Sequence, residues 1–378
     1  MANNKTNKVL NVPSLRFPEF SGEWEKMNLG DVCSGFDYGM NSASKPFDGE
    51  NQYIRITDID ESTCLYDKSD RVSPDSPLSD NYIVKKNDIL LARTGASTGK
   101  SYLYEENDGK IYFAGFLIRI NVNPIYNPRF IFQQLHTSRY NRWTKIMSAR
   151  SGQPGINSQE YASFPIYSTS RDEQERIAKV FAILDERILT QIRIIETLQS
   201  LIKGIAKSFC SRGEKNIAIK DCLICHTSDL LESSVRESEL YPVYGASGIV
   251  GYIDNYAIEG EAILIIKDGS GVGTVNYVKG KFSVIGTLNY LTAIHGFSLR
   301  YLYYCLLIFN FAPYKTGMAI PHIYFKDYGK AKIHYPTTVI CQKTTSVLMK
   351  IEEQLSIETT LLKLYMNEKR YLLHRMFI

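Results

Sequence analysis

Two long segments of the chain carry apolar residues at steps of three, four or seven. The first runs from residue 171 to about residue 209, and the second from residue 339 to residue 377. This spacing places the apolar side chains on one face of a helix. That face comprises, in the first segment, Ile177, Phe181, Leu184, Ile188, Ile192, Ile195, Leu198, Ile202, Ile205 and Phe209, and in the second, Leu348, Ile351, Leu355, Leu362, Tyr365, Leu372 and Met376. Each helix would be roughly 50 Å long, and we predict that the two pair through these residues as an antiparallel coiled coil.

The sequence that precedes each helix occurs twice. An apolar run, one basic residue and a loop with two glycines four apart lie at 89–99 and again at 263–273. Three further matches keep a separation of about 170 residues: 128–135 with 299–306, 151–156 with 316–320, and Gln174 and Asp185 with Gln342 and Glu353. A repeat of this length indicates a duplicated domain plus helix and not a solenoid.

The pattern therefore predicts an α+β chain with two tandem globular domains, each followed by a long helix, related by a pseudo-twofold axis. The predicted boundaries are an N-terminal arm at 1–20, a first globular domain at 21–168, a first helix at 169–213, a second globular domain at 214–337 and a second helix at 338–378.

Composition is that of an ordinary globular protein. The chain has 378 residues, of which 44% are hydrophobic and 22% are charged, and this length suggests two or three folding units. Lys and Arg total 44 against 40 Asp and Glu, which gives a net charge of +4. Such a small positive charge permits binding to nucleic acid but does not by itself argue for it.

The start of the chain is polar, and no apolar run approaches the roughly 20 residues that span a bilayer. The seven cysteines are scattered and odd in number, which does not indicate a disulfide framework. We expect a cytoplasmic protein with no membrane partner.

Three stretches resemble chemical motifs, but each is incomplete. The loop at 95–101 resembles a phosphate-binding P-loop, yet three residues separate its glycines where the motif needs four, and the second copy has Thr274 in place of Lys100. The segment 123–126 resembles the Asn-Pro-Pro-Tyr loop of amino-methyltransferases but lacks its second proline. The segment 222–226 matches the Cys-x-x-Cys-His of haem attachment, with no second cysteine pair close by to complete a zinc site. We therefore predict no catalytic residue, no metal site and no cofactor in this chain.

The chain resembles the specificity (S) subunits of type I restriction–modification systems. The resemblance begins at 15–20 with Trp24, continues through the glycine loop at 89–99, and includes 151–157 leading into 172–177. Each motif is moderately specific, whereas their order, the duplication and the two helices together are highly specific. The resemblance covers nearly the whole chain.

That resemblance implies a division of labour. Each globular domain would be a target recognition domain that reads one half of a split DNA site, and the paired helices would fix the distance between the halves. Two methyltransferase (M) subunits would bring S-adenosylmethionine and methylate adenine, and restriction (R) subunits would bring ATP- and Mg²⁺-dependent cleavage. The chain itself would be a non-catalytic bacterial protein of phage defence. Because its two copies differ in sequence, we expect an asymmetric bipartite target.

Candidate DNA contacts are the basic, amide, hydroxyl and aromatic side chains in and after the two glycine loops, since such groups reach base edges and phosphates. They are, in the first domain, Arg93, Thr94, Ser97, Lys100, Arg142, Lys145, Arg150, Gln153 and Asn157, and in the second, Lys267, Ser270, Lys315, His322 and Tyr324. Four glycines are predicted to adopt positive φ in the turns: Gly95, Gly99, Gly269 and Gly273.

Two other classes of function stay open. A DNA-acting enzyme, either a methyltransferase or a P-loop NTPase, would bind its cofactor as the isolated chain. A coiled-coil scaffold unrelated to DNA would bind duplex DNA under no condition.

Overall fold

The structure is a computed structural model that describes residues 10–149, 154–235, 240–317 and 320–378. It separates into two compact units. Unit 1 consists of Met1–Ile192 and Thr360–Ile378, and unit 2 consists of Arg193–Thr359. Each unit therefore combines one globular region with part of each long helix.

Unit 1 is built on an antiparallel sheet. Its strands are β1 Glu25–Asn28, β2 Cys33–Tyr38, β3 Ser44–Pro46, β4 Gln52–Ile54, β5 Val72–Pro74, β6 Asp88–Ala92, β7 Ser101–Leu103, β8 Ile111–Phe113, β9 Leu117–Val122 and β10 Pro165–Ser168. Strands β2, β9, β6 and β7 form a four-stranded sheet in that order, and β1-β10, β3-β5 and β4-β8 form two-stranded sheets. Strand β6 is buried at every position, as expected for a central strand covered on both faces.

The helices of unit 1 are α1 Pro128–Gln134, α2 Ser138–Ser148, α3 Ser158–Ala162 and the long helix α4 Arg171–Cys210, which continues into unit 2. Their starts follow ordinary capping rules. The Asn127 side chain accepts from the N–H groups of Arg129 and Phe130 at the start of α1, and the Thr137 hydroxyl accepts from the N–H of Tyr140 in the first turn of α2.

Unit 2 has a larger sheet. Its strands are β11 Ile217–Ala218, β12 Leu223–Thr227, β13 Tyr241–Gly245, β14 Gly248–Ile253, β15 Ile258–Ile266, β16 Val275–Val284, β17 Leu288–Ala293 and β18 Lys332–Ile333. Six of them form one sheet in the order β12-β17-β15-β16-β13-β14, and β11 pairs with β18. Its helices are α5 Ile219–Cys222, α6 Leu299–Leu307, α7 Phe325–Tyr328 and the long helix α8 Thr338–Met376, whose last part lies in unit 1.

The two long helices lie where the sequence predicted them, but α4 begins two residues after and ends three residues before its predicted bounds, and α8 ends two residues early. In unit 1 the start of α4 contacts the end of α8, because the rings of Phe181 and Phe377 lie 5.8 Å apart and Lys369 Nζ lies 2.7 Å from Asp185 Oδ1. In unit 2 the end of α4 packs in one core with the start of α8, through Cys210 and Cys341 among others. These contacts are antiparallel within each unit, and a continuous coiled coil along both helices stays a prediction.

The predicted pairing residues divide into two groups by burial. Those near the globular regions are buried: Ile177, Phe181, Leu184, Ile188, Ile202 and Leu348. Those further along are half-buried: Ile195, Leu198, Ile351, Leu355 and Leu362. Phe209, which the spacing places on the same face, is 38% exposed, because the buried residues there are Ile202, Ala206 and Cys210, which follow steps of four.

Burial corrects one detail of the predicted duplication. Gln174 is 2% exposed, but Gln342 is exposed and its neighbour Cys341 is 2% exposed. The buried pair Phe181 and Leu348 has the same separation of 167 residues as Gln174 and Cys341. The match of Gln174 with Gln342 is therefore wrong by one residue, and so is that of Asp185 with Glu353, because the buried face of a helix determines register more strongly than one shared side chain.

Candidate nucleic-acid interface

In unit 1 the glycine loop follows the central strand β6 and is fastened to the segment before α3. The N–H of Gly95 donates to the carbonyl of Pro154 at 3.0 Å, and the N–H of Ile156 donates to the carbonyl of Arg93 at 2.9 Å. These two bonds bring the loop beside residues from a part of the chain some sixty positions later.

The same bonds recur in unit 2, where the loop follows β15. The N–H of Gly269 donates to the carbonyl of Pro321 at 2.9 Å, and the N–H of Ile323 donates to the carbonyl of Lys267 at 3.0 Å. Each predicted cluster is thus assembled within its own unit, and an equivalent pair of main-chain hydrogen bonds fastens the loop in both units.

All four loop glycines have positive φ, as predicted, with values of 73° and 94° in unit 1 and 94° and 91° in unit 2. A side chain at the second glycine would also meet a neighbour. A Cβ on Gly99 would lie 2.9 Å from Thr144 Cγ2, and a Cβ on Gly273 would lie 3.0 Å from Phe311 Cβ. The second glycine is therefore required by conformation and by space.

Replacing Gly99 with alanine should destabilise unit 1 more than replacing Gly95. Gly95→Ala adds only the strain of a left-handed alanine, about 1 kcal/mol, because nothing lies within 4 Å of its Cβ. Gly99→Ala adds the contact with Thr144 as well, and we expect a loss of about 2 kcal/mol in total. Urea unfolding followed by tryptophan fluorescence measures both, and equal losses would contradict the contribution of Thr144.

The predicted DNA contacts of unit 1 differ in accessibility. Arg142 and Lys145 are exposed on α2, whereas Arg93, Thr94, Ser97 and Lys100 are half-buried around the loop. Asn157 caps α3, since its side chain accepts from the N–H of Glu160 at 2.9 Å. Arg150 and Gln153 lie outside the described residues.

The predicted contacts of unit 2 lie around the equivalent loop. Ser270, Lys315 and Tyr324 are exposed, and Lys267 and His322 are half-buried. The backbone of His322 is bridged to Asp268 and to Thr316, so its ring is held beside the loop, with its centre 5.7 Å from that of Tyr324. Contact between any of these residues and DNA stays a prediction.

The structure adds two residues to the loop of unit 1 that the sequence analysis missed. Tyr38 lies at the end of β2, and the guanidinium carbon of Arg93 is 4.9 Å from the centre of its ring. Phe116 lies just before β9, and its carbonyl accepts from the N–H of Arg93 at 3.0 Å. Neither belongs to a repeated motif, so no local signal in the sequence could have identified them.

The hydroxyl of Tyr38 is held at the start of α3. It lies 3.2 Å from the hydroxyl of Ser158 and accepts from the backbone N–H of Ser158 at 3.2 Å. These bonds, in that order, lower the pKa of Tyr38 below its ordinary value, and the charge of Arg93 lowers it further. The ring is therefore oriented at one end and covered by a cation.

Each unit also has a groove where its globular region meets a long helix. In unit 1 a cleft of about 480 Å³ is lined by Arg129 of α1 and by Glu175 and Lys179 of α4. In unit 2 a cleft of about 680 Å³ is lined by Arg300 of α6 and by residues of α8. Arg129 and Arg300 are each the second residue of their helix, so the grooves occupy matching places in the two copies.

Within the described ranges, no three His, Cys, Asp or Glu side chains are grouped so as to hold a metal ion. In the same part of the chain, no helix combines the length and the apolar character that crossing a membrane requires.

Comparison with known proteins gives consistent matches over both units. The profile of the type I restriction modification DNA specificity domain matches residues 21–200 and again residues 217–364. The HindI specificity subunit of Haemophilus influenzae is 24% identical over 192 residues, which are 50% of this chain and 40% of that protein. The EcoprrI specificity subunit of Escherichia coli is 27% identical over 102 residues, which are 27% of this chain and 25% of that protein. The chain thus matches less than half the length of these relatives.

Solved structures show the same fold. The S subunit of a type I restriction–modification system from M. genitalium superposes with a TM-score of 0.65 at 16% identity, over 97% of this chain and 99% of that one. A chain from a structure described as the complex assembly and conformational transition of the type I R-M system has a TM-score of 0.50 at 14% identity, over 93% and 95% of the two chains.

Proposed function

Because the chain belongs to the type I restriction modification DNA specificity family, we propose that it reads an asymmetric, bipartite DNA site, one half with each unit. It takes no part in catalysis. Its role is to bring two adenine methyltransferase subunits, and through them restriction subunits, to that site.

The observation that carries this proposal is a conserved backbone geometry with different side chains. The loops of both units are fastened by equivalent main-chain hydrogen bonds, but Arg93 in one stands where Lys267 stands in the other. A planar guanidinium can bind a base edge through two hydrogen bonds, whereas an ammonium acts as a point charge. The two units would therefore read different bases.

Binding of one DNA duplex to both units constrains the distance between the two half-sites. If each loop enters a major groove on the same face of the DNA, the half-sites lie about one helical turn, roughly 34 Å, apart. The two long helices are suited to fix this spacing, because the length of an α-helix is set by its backbone hydrogen bonds and changes little when a ligand binds.

The two matching grooves support docking of two copies of one partner. Each joins a globular region to a long helix and contains one arginine, so one protein surface could fit both. The neighbour whose structure is described as a complex assembly belongs to such a system. S-adenosylmethionine, ATP and Mg²⁺ would then be bound by the partner subunits.

The proposal is tested by co-expressing the chain with its cognate methyltransferase and mapping N6-methyladenine in host DNA by single-molecule sequencing. We expect a bipartite motif that appears only with this chain. Exchange of residues 21–168 should change one half alone. Arg93→Ala should relax or remove a position in the first half and Lys267→Ala one in the second, at about 1–3 kcal/mol each.

The control is the same methyltransferase with another specificity subunit. If that pair methylates DNA and the pair with this chain leaves no motif, the chain does not read DNA, and the scaffold hypothesis replaces this one. Calorimetric binding of S-adenosylmethionine or ATP to the isolated chain would instead favour an enzyme.

A further inference from the structure

Phe116 is exposed on a turn whose backbone is firmly held. Its side chain is 60% exposed. On either side of it, the N–H of Gly115 donates to the carbonyl of Met40, and the N–H of Leu117 donates to that of Ala114, both at 2.8 Å. A large aromatic ring is thus presented to solvent in a fixed position, beside the glycine loop.

The ring lies next to a ready stacking surface. Tyr38 is 42% exposed, so part of its side chain stays accessible although the Arg93 guanidinium lies over its ring. The Arg93 Nε donates to the carbonyl of Gly115 at 3.1 Å, which ties the guanidinium to the turn that carries Phe116. A cleft of about 590 Å³ lies among these three residues, with Arg55 also on its wall.

Unit 2 shows that the fold does not need an aromatic residue at this place. The carbonyl of Thr287 accepts from the N–H of Lys267 at 3.0 Å, just as the carbonyl of Phe116 accepts from the N–H of Arg93. Thr287 therefore occupies the position of Phe116 without its ring. Folding therefore does not explain the exposed phenylalanine in unit 1, and we look for its role in binding.

We propose that Phe116 and the Tyr38–Arg93 pair form a stacking site for one base of the first half-site. The inference rests on the proposed function and names the residues through which unit 1 performs it. Apolar side chains that enter DNA separate neighbouring bases and bend the duplex, and an aromatic or guanidinium face then receives the separated base. The proposed occupant is duplex DNA. The two aromatic rings would bind the face of a base, and the guanidinium beside them would attract the adjoining phosphate. The distortion is confined to the half-site of unit 1.

The test uses the complex of this chain with its methyltransferase, in the absence of S-adenosylmethionine, and a duplex with the site found by methylation mapping. 2-Aminopurine, which pairs with thymine, replaces, one at a time, each adenine of the first half-site on either strand except the methylated one. We expect a change in fluorescence at one position with wild type, and we expect Phe116→Ala to abolish that change. Phe116→Ala should also weaken binding about tenfold, as loss of one stacked base does, while Phe116→Tyr binds as wild type does.

Ile125→Ala is the matched control, because Ile125 is 66% exposed in the same unit. It should leave both affinity and fluorescence unchanged. Unchanged binding by Phe116→Ala, or an equal loss with Ile125→Ala, would overturn the stacking site while leaving site-specific reading intact. If wild type itself does not prefer its site over unrelated duplex, the proposed function fails as well.

Discussion

Replacing Arg16 with alanine should destabilise unit 1 by at least about 3 kcal/mol, because it leaves a buried carboxylate without its counter-ion. Glu173, near the start of α4, has a side chain only 1% exposed, and Arg16 reaches it with Nε and Nη2, each 2.7 Å from one carboxylate oxygen. Urea unfolding followed by tryptophan fluorescence is the appropriate measurement, since both tryptophans of the chain, Trp24 and Trp143, lie in unit 1.

A matched control is available on the same helix. Arg171 and Glu175 are also 2.7 Å apart, but their side chains are 41% and 54% exposed, so Arg171→Ala should cost less than about 1 kcal/mol. Adding Glu173→Gln to Arg16→Ala should recover part of the loss, because an amide carries no charge to bury. If Arg16→Ala and Arg171→Ala cost the same, burial does not strengthen this ion pair.

Replacing Phe181 with alanine should cost about 3–5 kcal/mol, the range for removing a buried phenylalanine ring. Phe181 is completely buried in the core of unit 1, where its ring packs against that of Phe377 near the end of α8. The same fluorescence measurement applies. Because Phe181 packs against Phe377, the variant should also weaken the contact between the two long helices in this unit.

Ile183 provides the comparison for Phe181. It lies two residues away on α4 but is 46% exposed, so Ile183→Ala should change stability by less than about 1 kcal/mol. A small loss with Phe181→Ala would show that the start of α4 is not held by this core.

Much of the architecture could be predicted from the sequence because it depends on long repetition. The apolar segments 171–209 and 339–377 match α4 and α8 to within one residue at each end, and the duplicated glycine loops predicted positive φ at four positions. The family profile confirmed the resemblance to type I specificity subunits.

What could not be predicted depends on tertiary contacts. Tyr38 and Phe116 meet Arg93 only because the ends of β2, β6 and β9 converge, and no spacing in the sequence connects them. Asn157 was selected as a DNA contact for its amide, but its side-chain oxygen caps α3. The residue type shows which interactions a side chain can make, and the packing around it determines which of its polar atoms remain available to a ligand.

The main-chain fastening of the two loops has a consequence for how such a protein can change over generations. The bonds from Gly95 to Pro154 and from Gly269 to Pro321 use no side-chain atom. Because these bonds do not depend on which side chains the loops carry, an exposed loop position such as Ser270 can change while the loop stays fastened, whereas the glycines are constrained by their φ angles. Point substitutions in the loops can thus change which DNA sequence is read while the loop backbone stays the same. A new target sequence then does not require a new domain.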